Sequence, residues 1–411
     1  MSEALEKTES AAPAERGSLL HILGIFLRLG CTSFGGPIAH IGYFRHEFVE
    51  RRKWLDERAY ADVVALCNFL PGPASSQVGI ALGILRGGVA GGLMAWIGFT
   101  LPSAIAMIAF AYGFSALGFS ADGEWLHGLK VAAVAVIAQA IWGMGKALCP
   151  DRARATLALA ATLAMLAWPT AWAQLAVIAF GALIGWIWLP SEAAQTSEVL
   201  EFRLSRRMGF FAWTLLLALL VLLPLGVQIF QSQTLAVFDK FYRVGSLVFG
   251  GGHVILPLLR NEVVVPGWVS DDVFLAGYGA AQALPGPLFT FSAYLGTVMS
   301  AGPGGVAGGL LALGGIFLPS MLLVVGALPY WETLRRKPVA QSALKGVNAV
   351  VVGLLLAAFY NPVWTSSIRS NADLALALVA FGLLVFWKIS PFYVVLFTAA
   401  GGALLALGLS G

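Results

Sequence analysis

The chain has 411 residues, 59% of them hydrophobic and 11% charged. A soluble globular protein is about a quarter charged, so this composition belongs to a lipid bilayer. The net charge of +4 comes without a Lys/Arg-rich face, which argues against nucleic-acid binding, and three scattered cysteines with no CxxC pair offer neither a disulfide framework nor a metal site.

Residues 1–18 are polar, with Glu3, Glu6, Glu9 and Glu15. A cleaved signal begins basic and then turns apolar, so this stretch reads as a disordered cytoplasmic tail. Thirteen hydrophobic segments follow, near 19–44, 59–85, 88–114, 125–148, 155–169, 172–189, 209–230, 234–259, 272–298, 304–330, 344–360, 372–388 and 390–410. Most approach the roughly 20 residues that cross about 30 Å of hydrocarbon.

The first six segments correspond to the last six. Phe26-Leu-Arg-Leu-Gly-Cys-Thr-Ser-Phe-Gly-Gly-Pro37 returns as Phe241-Tyr-Arg-Val-Gly-Ser-Leu-Val-Phe-Gly-Gly-Gly252. Leu70-Pro-Gly-Pro73 returns as Leu284-Pro-Gly-Pro287, Gly87–Gly92 as Gly304–Gly309, and Leu101-Pro-Ser103 as Leu318-Pro-Ser320; Gly128 matches Gly346. Matches kept in one order mark an internal repeat. The odd seventh segment makes the second half enter from the opposite face. The expected fold is an all-α integral membrane protein. Two inverted-topology repeats of about six segments, 19–189 and 234–411, contain broken or re-entrant helices. Residues 190–233 join them as a cytoplasmic linker and one extra transmembrane helix.

Basic clusters mark cytoplasmic ends. Lys146, Arg152 and Arg154, then Arg203, Arg206 and Arg207, then Arg335, Arg336 and Lys337 all fall inside under simple alternation. That puts the amino terminus inside and the carboxyl terminus outside. The loop with Arg45, Arg51, Arg52, Lys53 and Arg58 disagrees, and so does its acidic partner with Glu262, Asp271 and Asp272. The conflict vanishes if segments one, two, eight and nine enter and return, turning at their Gly and Pro breaks.

Those breaks and two arginines form the expected anion site. Arg28 and Arg243 hold equivalent places in apolar runs, where an arginine costs about 2.5–3.5 kcal/mol at mid-membrane. A planar guanidinium forks onto oxyanions; snorkelling to the interface is the plain alternative. The breaks are Gly35, Gly36 and Pro37, then Gly250 and Gly251, then Pro71, Gly72 and Pro73, then Pro285, Gly286 and Pro287. A broken helix presents unpaired N–H groups whose dipole favours anions. Ser75, Ser76, Gln77 and Thr290 add short polar groups for the remaining lone pairs of an oxyanion. Gly87–Gly92 reads as a helix-packing surface. His40 and His253 read as lone interfacial histidines, Glu47 and Glu262 as local charge pairs, and Lys130 as either a source of positive potential or a plain flank. All 21 carboxylates fall in tails, loops or segment ends. No Walker, HExxH or GxSxG motif is present, so no cofactor, metal or enzymatic activity is expected.

Phe34-Gly-Gly-Pro-Ile-Ala-His-Ile-Gly-Tyr-Phe44, Trp54-Leu55 and Leu70-Pro-Gly-Pro-Ala-Ser-Ser-Gln77 resemble the chromate ion transporter family, in its long-chain two-domain bacterial form. The resemblance implies an inner-membrane protein that exports chromate and confers resistance, with sulfate as a competitor or related substrate. Membrane lipid is then its surroundings, and a homodimer is compatible with it. A general sulfate-type oxyanion carrier or channel is the rival. Alternating access by one half rocking on the other is the motion expected by analogy.

Overall fold

The computed structural model describes residues 18–34, 36–116, 124–190, 204–248, 254–331 and 338–409. Gly35, Gly250, Gly251, His253 and all but the last residue of the 1–18 tail lie outside them. Every described element is helical. Five helices are long and apolar enough to cross a membrane: Ala74–Gly113, His127–Leu148, Arg206–Phe230, Gly305–Tyr330 and Gln341–Asn361.

The first half opens with two hairpins. Helix α1 (Leu19–Thr32) and helix α2 (Gly36–Arg45, prolonged by a π-turn over His46–Arg51) lie side by side and antiparallel. Their pairings run back in register: Ser33 meets His40, Phe26 stacks on Phe48 with ring centroids 5.2 Å apart, and Arg52 reaches His21 at 3.0 Å. Helix α3 (Glu57–Phe69) starts where the Asp56 side chain accepts from the Ala59 N–H, and it stops at Pro71-Gly72-Pro73. Proline removes the donor that the next turn needs.

Helix α4 (Ala74–Ala116) is itself folded over. Gly88, at φ 61°, reverses the chain, so that Gly83 faces Gly91 and Gly92 faces Ile84 and Ile80. Arg86, at the end of the first limb, lies 4.9 Å from the Trp54 ring. Loop 46–56 and the Gly87–Gly88 turn therefore share one face of the molecule, here called the basic face. The glycine run read as a packing surface is both that surface and this reversal. The second limb of α4 then runs alongside α1 to the opposite face, with Gly98 against Leu23 and Leu27, and Gly30 against Phe99.

Three helices complete the half: α5 (Glu124–Leu148), α6 (Arg152–Ala167) and α7 (Ala171–Trp188). Helix α8 (Arg206–Phe230) leads to the second half, which repeats the plan. Helix α9 (Gln233–Leu247) pairs with α10 (Ile255–Leu259), again followed by a π-turn over Arg260–Val264. Helix α11 (Asp271–Gln282) and helix α12 (Phe291–Val298) form the hairpin around Pro285-Gly286-Pro287, with Tyr278 against Phe291 and the Tyr294 hydroxyl donating to the Val273 carbonyl. Helices α13 (Gly305–Ala327), α14 (Pro338–Ala358), α15 (Asn371–Val385) and α16 (Pro391–Leu409) follow.

Helix α13 and the second limb of α4 are repeat equivalents, and they pack antiparallel. Trp96 meets Phe317, while at the other end the Val306 N–H donates to the Tyr112 hydroxyl. The outer helices are exchanged between halves. Gly128 on α5 packs against Thr398 and Ala399 of α16, and its repeat mate Gly346 on α14 packs against Gly181 and Gly185 of α7. Glycine at these crossings lets main chain touch main chain.

Candidate functional site

Each of the two Pro-Gly-Pro turns is docked on the other half. The Gly72 N–H donates to the Val248 carbonyl at 2.6 Å, just past the end of α9. The Gly286 N–H donates to the Ser33 carbonyl at 2.9 Å, just past the end of α1. Ser33 and Val248 occupy equivalent places in the repeat, so the contact is reciprocal. Side chains repeat the pattern. A methyl group on Gly72 would sit 2.7 Å from Ser320 Oγ, and one on Gly286 would sit 2.9 Å from Ser103 Oγ. Both glycines have positive φ, 122° and 93°. Only glycine adopts such backbone freely, and only glycine fits the space.

This junction is buried yet polar. Ser75, Ser76, Gln77, Thr100, Ser103, Thr290 and Ser320 are all buried. Among the described residues Ser33 Oγ, Ser76 Oγ, Thr100 Oγ1, Ser320 Oγ and Gln77 Oε1 have no hydrogen-bond partner. Ser75 and Ser76 stand in the first turn of α4, where main-chain N–H groups lack helical partners, whereas the Gln77 N–H already donates to the Pro73 carbonyl at 3.0 Å. Thr290 is different, because its hydroxyl donates to Pro287 within its own turn. Gly36 and Pro37 open α2, whose first turn carries His40 to the same place.

His40 is not interfacial. It is 1% exposed, with Nε2 3.1 Å from the Ser33 carbonyl, Nδ1 3.3 Å from Ser75 Oγ, and its ring edge-on to Phe99. It joins the Ser33 carbonyl that receives one Pro-Gly-Pro turn to the helix that leaves the other. A rule that kept every polar side chain within a few residues of a break would have found it.

Arg28 and Arg243 are each taken up by a carboxylate of their own half. Arg28 donates to Glu47 at 2.7 Å, and Glu47 also receives Arg51 at 3.1 Å and Arg52 at 2.6 Å. Burial by itself raises the Glu47 carboxyl; the hydrogen bonds from Arg52 and Arg51 and the charge of Arg28 outweigh it and hold the group below its ordinary range. Arg243 is bonded to Asp239, a buried carboxylate one helical turn back on α9. Asp239 stands inside a helix, so not all carboxylates keep to the ends. Glu262 pairs with Lys240, as its reading as a local charge pair expects. Lys130, 3% exposed, is neither a free charge nor a plain flank: it bonds Asp272 of the other half at 2.6 Å. One turn earlier on α5, His127 bonds Asp373 at 2.7 Å.

Two clefts flank the junction, built from repeat-equivalent elements. One, of about 600 Å³, extends from Phe34 at the junction along α2 to Tyr43, and is walled by α5 and the tip between α15 and α16. Its counterpart lies among α10, α14 and the tip between α6 and α7, and measures about 70 Å³. The first follows α2, which ends on the basic face, and the second follows α10 to Arg260 and Asn261 at its end.

The chromate transporter family model matches residues 20–186 and again 235–405. The chain belongs to the chromate transporter family. The two matched stretches coincide with the two structural halves, and with the apolar helices they make this a multi-pass membrane protein. A chromate transport protein of Pseudomonas aeruginosa is 29% identical, over 97% of this chain and 95% of its own length. One of Cupriavidus metallidurans is 28% identical, over 95% and 93%. A probable chromate transport protein of Synechococcus elongatus is 26% identical, over 83% and 84%. No solved structure matches the chain.

Proposed function

We propose that this protein is a secondary transporter that exports chromate across the bacterial inner membrane. The observation that carries the reading is the junction of reciprocally docked Pro-Gly-Pro turns, with its buried, unpartnered hydroxyls at a broken helix end. A tetrahedral dianion needs many short donors around it and little else. The relatives named as chromate transport proteins support chromate as that dianion.

The antiparallel packing of α4 and α13 supports an inverted pair of repeats, entered by hairpins from opposite faces. Loop 46–56, Lys146, Arg152, Arg154, Arg206 and Arg207 then share the basic face, which the positive-inside rule makes cytoplasmic. The amino terminus is inside and the carboxyl terminus outside. Glu47 takes up three arginines there while Arg45 is shared by Glu50 and Glu57, which leaves one surplus positive charge among the bridged arginines and glutamates of this mouth, whereas the matching salt bridges of the second half are balanced. A cleft of about 600 Å³ on that side against about 70 Å³ on the other suits loading from the cytoplasm. Arg28 and Arg243 serve the site through this field and through the short α1 and α9 they anchor, not by a direct fork onto substrate.

Membrane potential suffices as the driving force. A dianion leaving through 100 mV gains about 4.6 kcal/mol. At 1.4 kcal/mol per decade that supports roughly a thousandfold gradient. The test is uptake of labelled chromate and sulfate by everted vesicles, with and without an imposed potential positive inside the vesicle. Chromate uptake that rises with the potential and drops at least tenfold in Ser76→Ala or Ser320→Ala is expected. Potential-driven uptake of sulfate in place of chromate would move the reading to a general oxyanion carrier, which hydroxyl donors accommodate equally well.

A further inference from the structure

We infer that Lys388, at the tip between α15 and α16, forms an outer oxyanion site in the open cleft, where the substrate waits before it reaches the junction. The inference rests on the reading of the chain as an oxyanion exporter. The cleft of about 600 Å³ is lined by Lys388 together with Tyr43, Gln139 and Ser390, and at its inner end by Phe34. The Phe34 ring lies against Phe392, with centroids 6.0 Å apart, so two aromatic rings from two hairpin tips stand between the cleft and Ser33. Ser390 and Pro391 begin the 19-residue helix α16, whose amino end therefore faces the same space as the ammonium group.

Three features set Lys388 apart from the other cations that line a cleft. First, no carboxylate or aromatic ring among the described residues takes it up. Arg260, in the constricted counterpart cleft, is held by Asp271 through two hydrogen bonds of 2.8 and 2.9 Å, and Lys146 lies 4.4 Å from the Trp142 ring. Second, the tip lies within the span of α5, where the Gln139 amide donates to the Leu384 carbonyl at 3.4 Å, nine residues before that helix ends at Leu148 on the basic face. A charge at such depth belongs in a water-filled cavity. Third, Lys388 has φ 53° in the turn that ends α15, where the Ile389 N–H donates back to the Leu383 carbonyl at 3.0 Å. Glycine is the usual occupant of that position. A lysine there gives up backbone ease at a place where its charge lines the substrate route.

The backbone supplies a clean variant. Lys388→Gly relieves the left-handed strain, so loss of the charge is separated from loss of the fold; Lys388→Arg keeps the charge. In everted vesicles Lys388→Gly is expected to raise the half-saturating chromate concentration about tenfold, with the maximal rate within threefold of the parent and Lys388→Arg close to the parent. A second readout does not use transport. In a chain with Cys31, Cys67 and Cys149 replaced by alanine, Tyr393→Cys is modified by a sulfonated and by a quaternary-ammonium methanethiosulfonate. The preference for the anionic reagent is expected to fall about tenfold when Lys388→Gly is added. An unchanged half-saturation and an unchanged reagent preference would overturn the inference while leaving the exporter intact. A parent that moves no chromate, with the reagent preference still lost, would overturn the substrate and leave the anion site.

Discussion

At Glu47 one buried carboxylate holds three guanidinium groups, and its removal tests how the first hairpin is tied together. Glu47→Gln leaves Arg28, Arg51 and Arg52 without their shared acceptor. Charge-assisted hydrogen bonds of this kind contribute about 1.5–3 kcal/mol, so a clear drop in thermal stability in detergent is expected. Arg28→Ala should cost much less, because Glu47 keeps Arg51 and Arg52. The pH dependence has a fixed sign. The folded carboxyl lies below its ordinary value of 4.5, so its stabilisation is present above that value and fades as pH falls through the folded one. Glu47→Gln should flatten this acid limb. The sequence paired Glu47 with its neighbourhood but not with Arg28, which lies 19 residues away. It missed His40 for the same reason: a single histidine has no visible partner until the fold brings Ser33 and Ser75 to it.

Among the elements, the breaks were legible and their partners were not. Proline and glycine act on the residue that carries them, so the two Pro-Gly-Pro turns could be located from the chain alone, and their hairpins follow from them. What a turn docks against depends on the rest of the molecule. Nothing in Pro71-Gly72-Pro73 announces Val248 or Ser320. The docking gives a sharp contrast between glycines. Gly72→Ala and Gly286→Ala meet both forbidden backbone and occupied space, and each should lower stability by about 1–3 kcal/mol and abolish transport. Gly42→Ala and Gly143→Ala sit in open helical positions with nothing near the added methyl, and should be neutral or gain about 0.5–1 kcal/mol. Comparable loss from all four would mean that the junction has no special tightness.

For the whole molecule, the two ways of counting crossings part company at Lys53. Full alternation of every segment puts this lysine outside; hairpins that enter and return put it inside. Labelling a lone cysteine at Lys53→Cys with an impermeant reagent in intact cells and in everted vesicles decides between them. Reaction in everted vesicles alone is expected, and reaction in intact cells would invert the proposed topology. The repeat and its odd connecting helix were readable because order along the chain is all they require. The exchange of outer helices was not, since α5 packs with α15 and α16 only in three dimensions.

That exchange bears on how the machine moves. Gly72 and Gly286 each lend an amide to the opposite repeat, and α5 and α14 each leave home to shelter beneath the other's last pair. A swing that treated residues 19–189 as one block and 234–411 as another would have to unzip the molecule along its middle on every cycle. The parts that travel together must instead be recruited from both repeats, leaving a shared knot at rest while the walls around it trade places. The boundary that matters for motion thus runs across the duplication, not between its two copies.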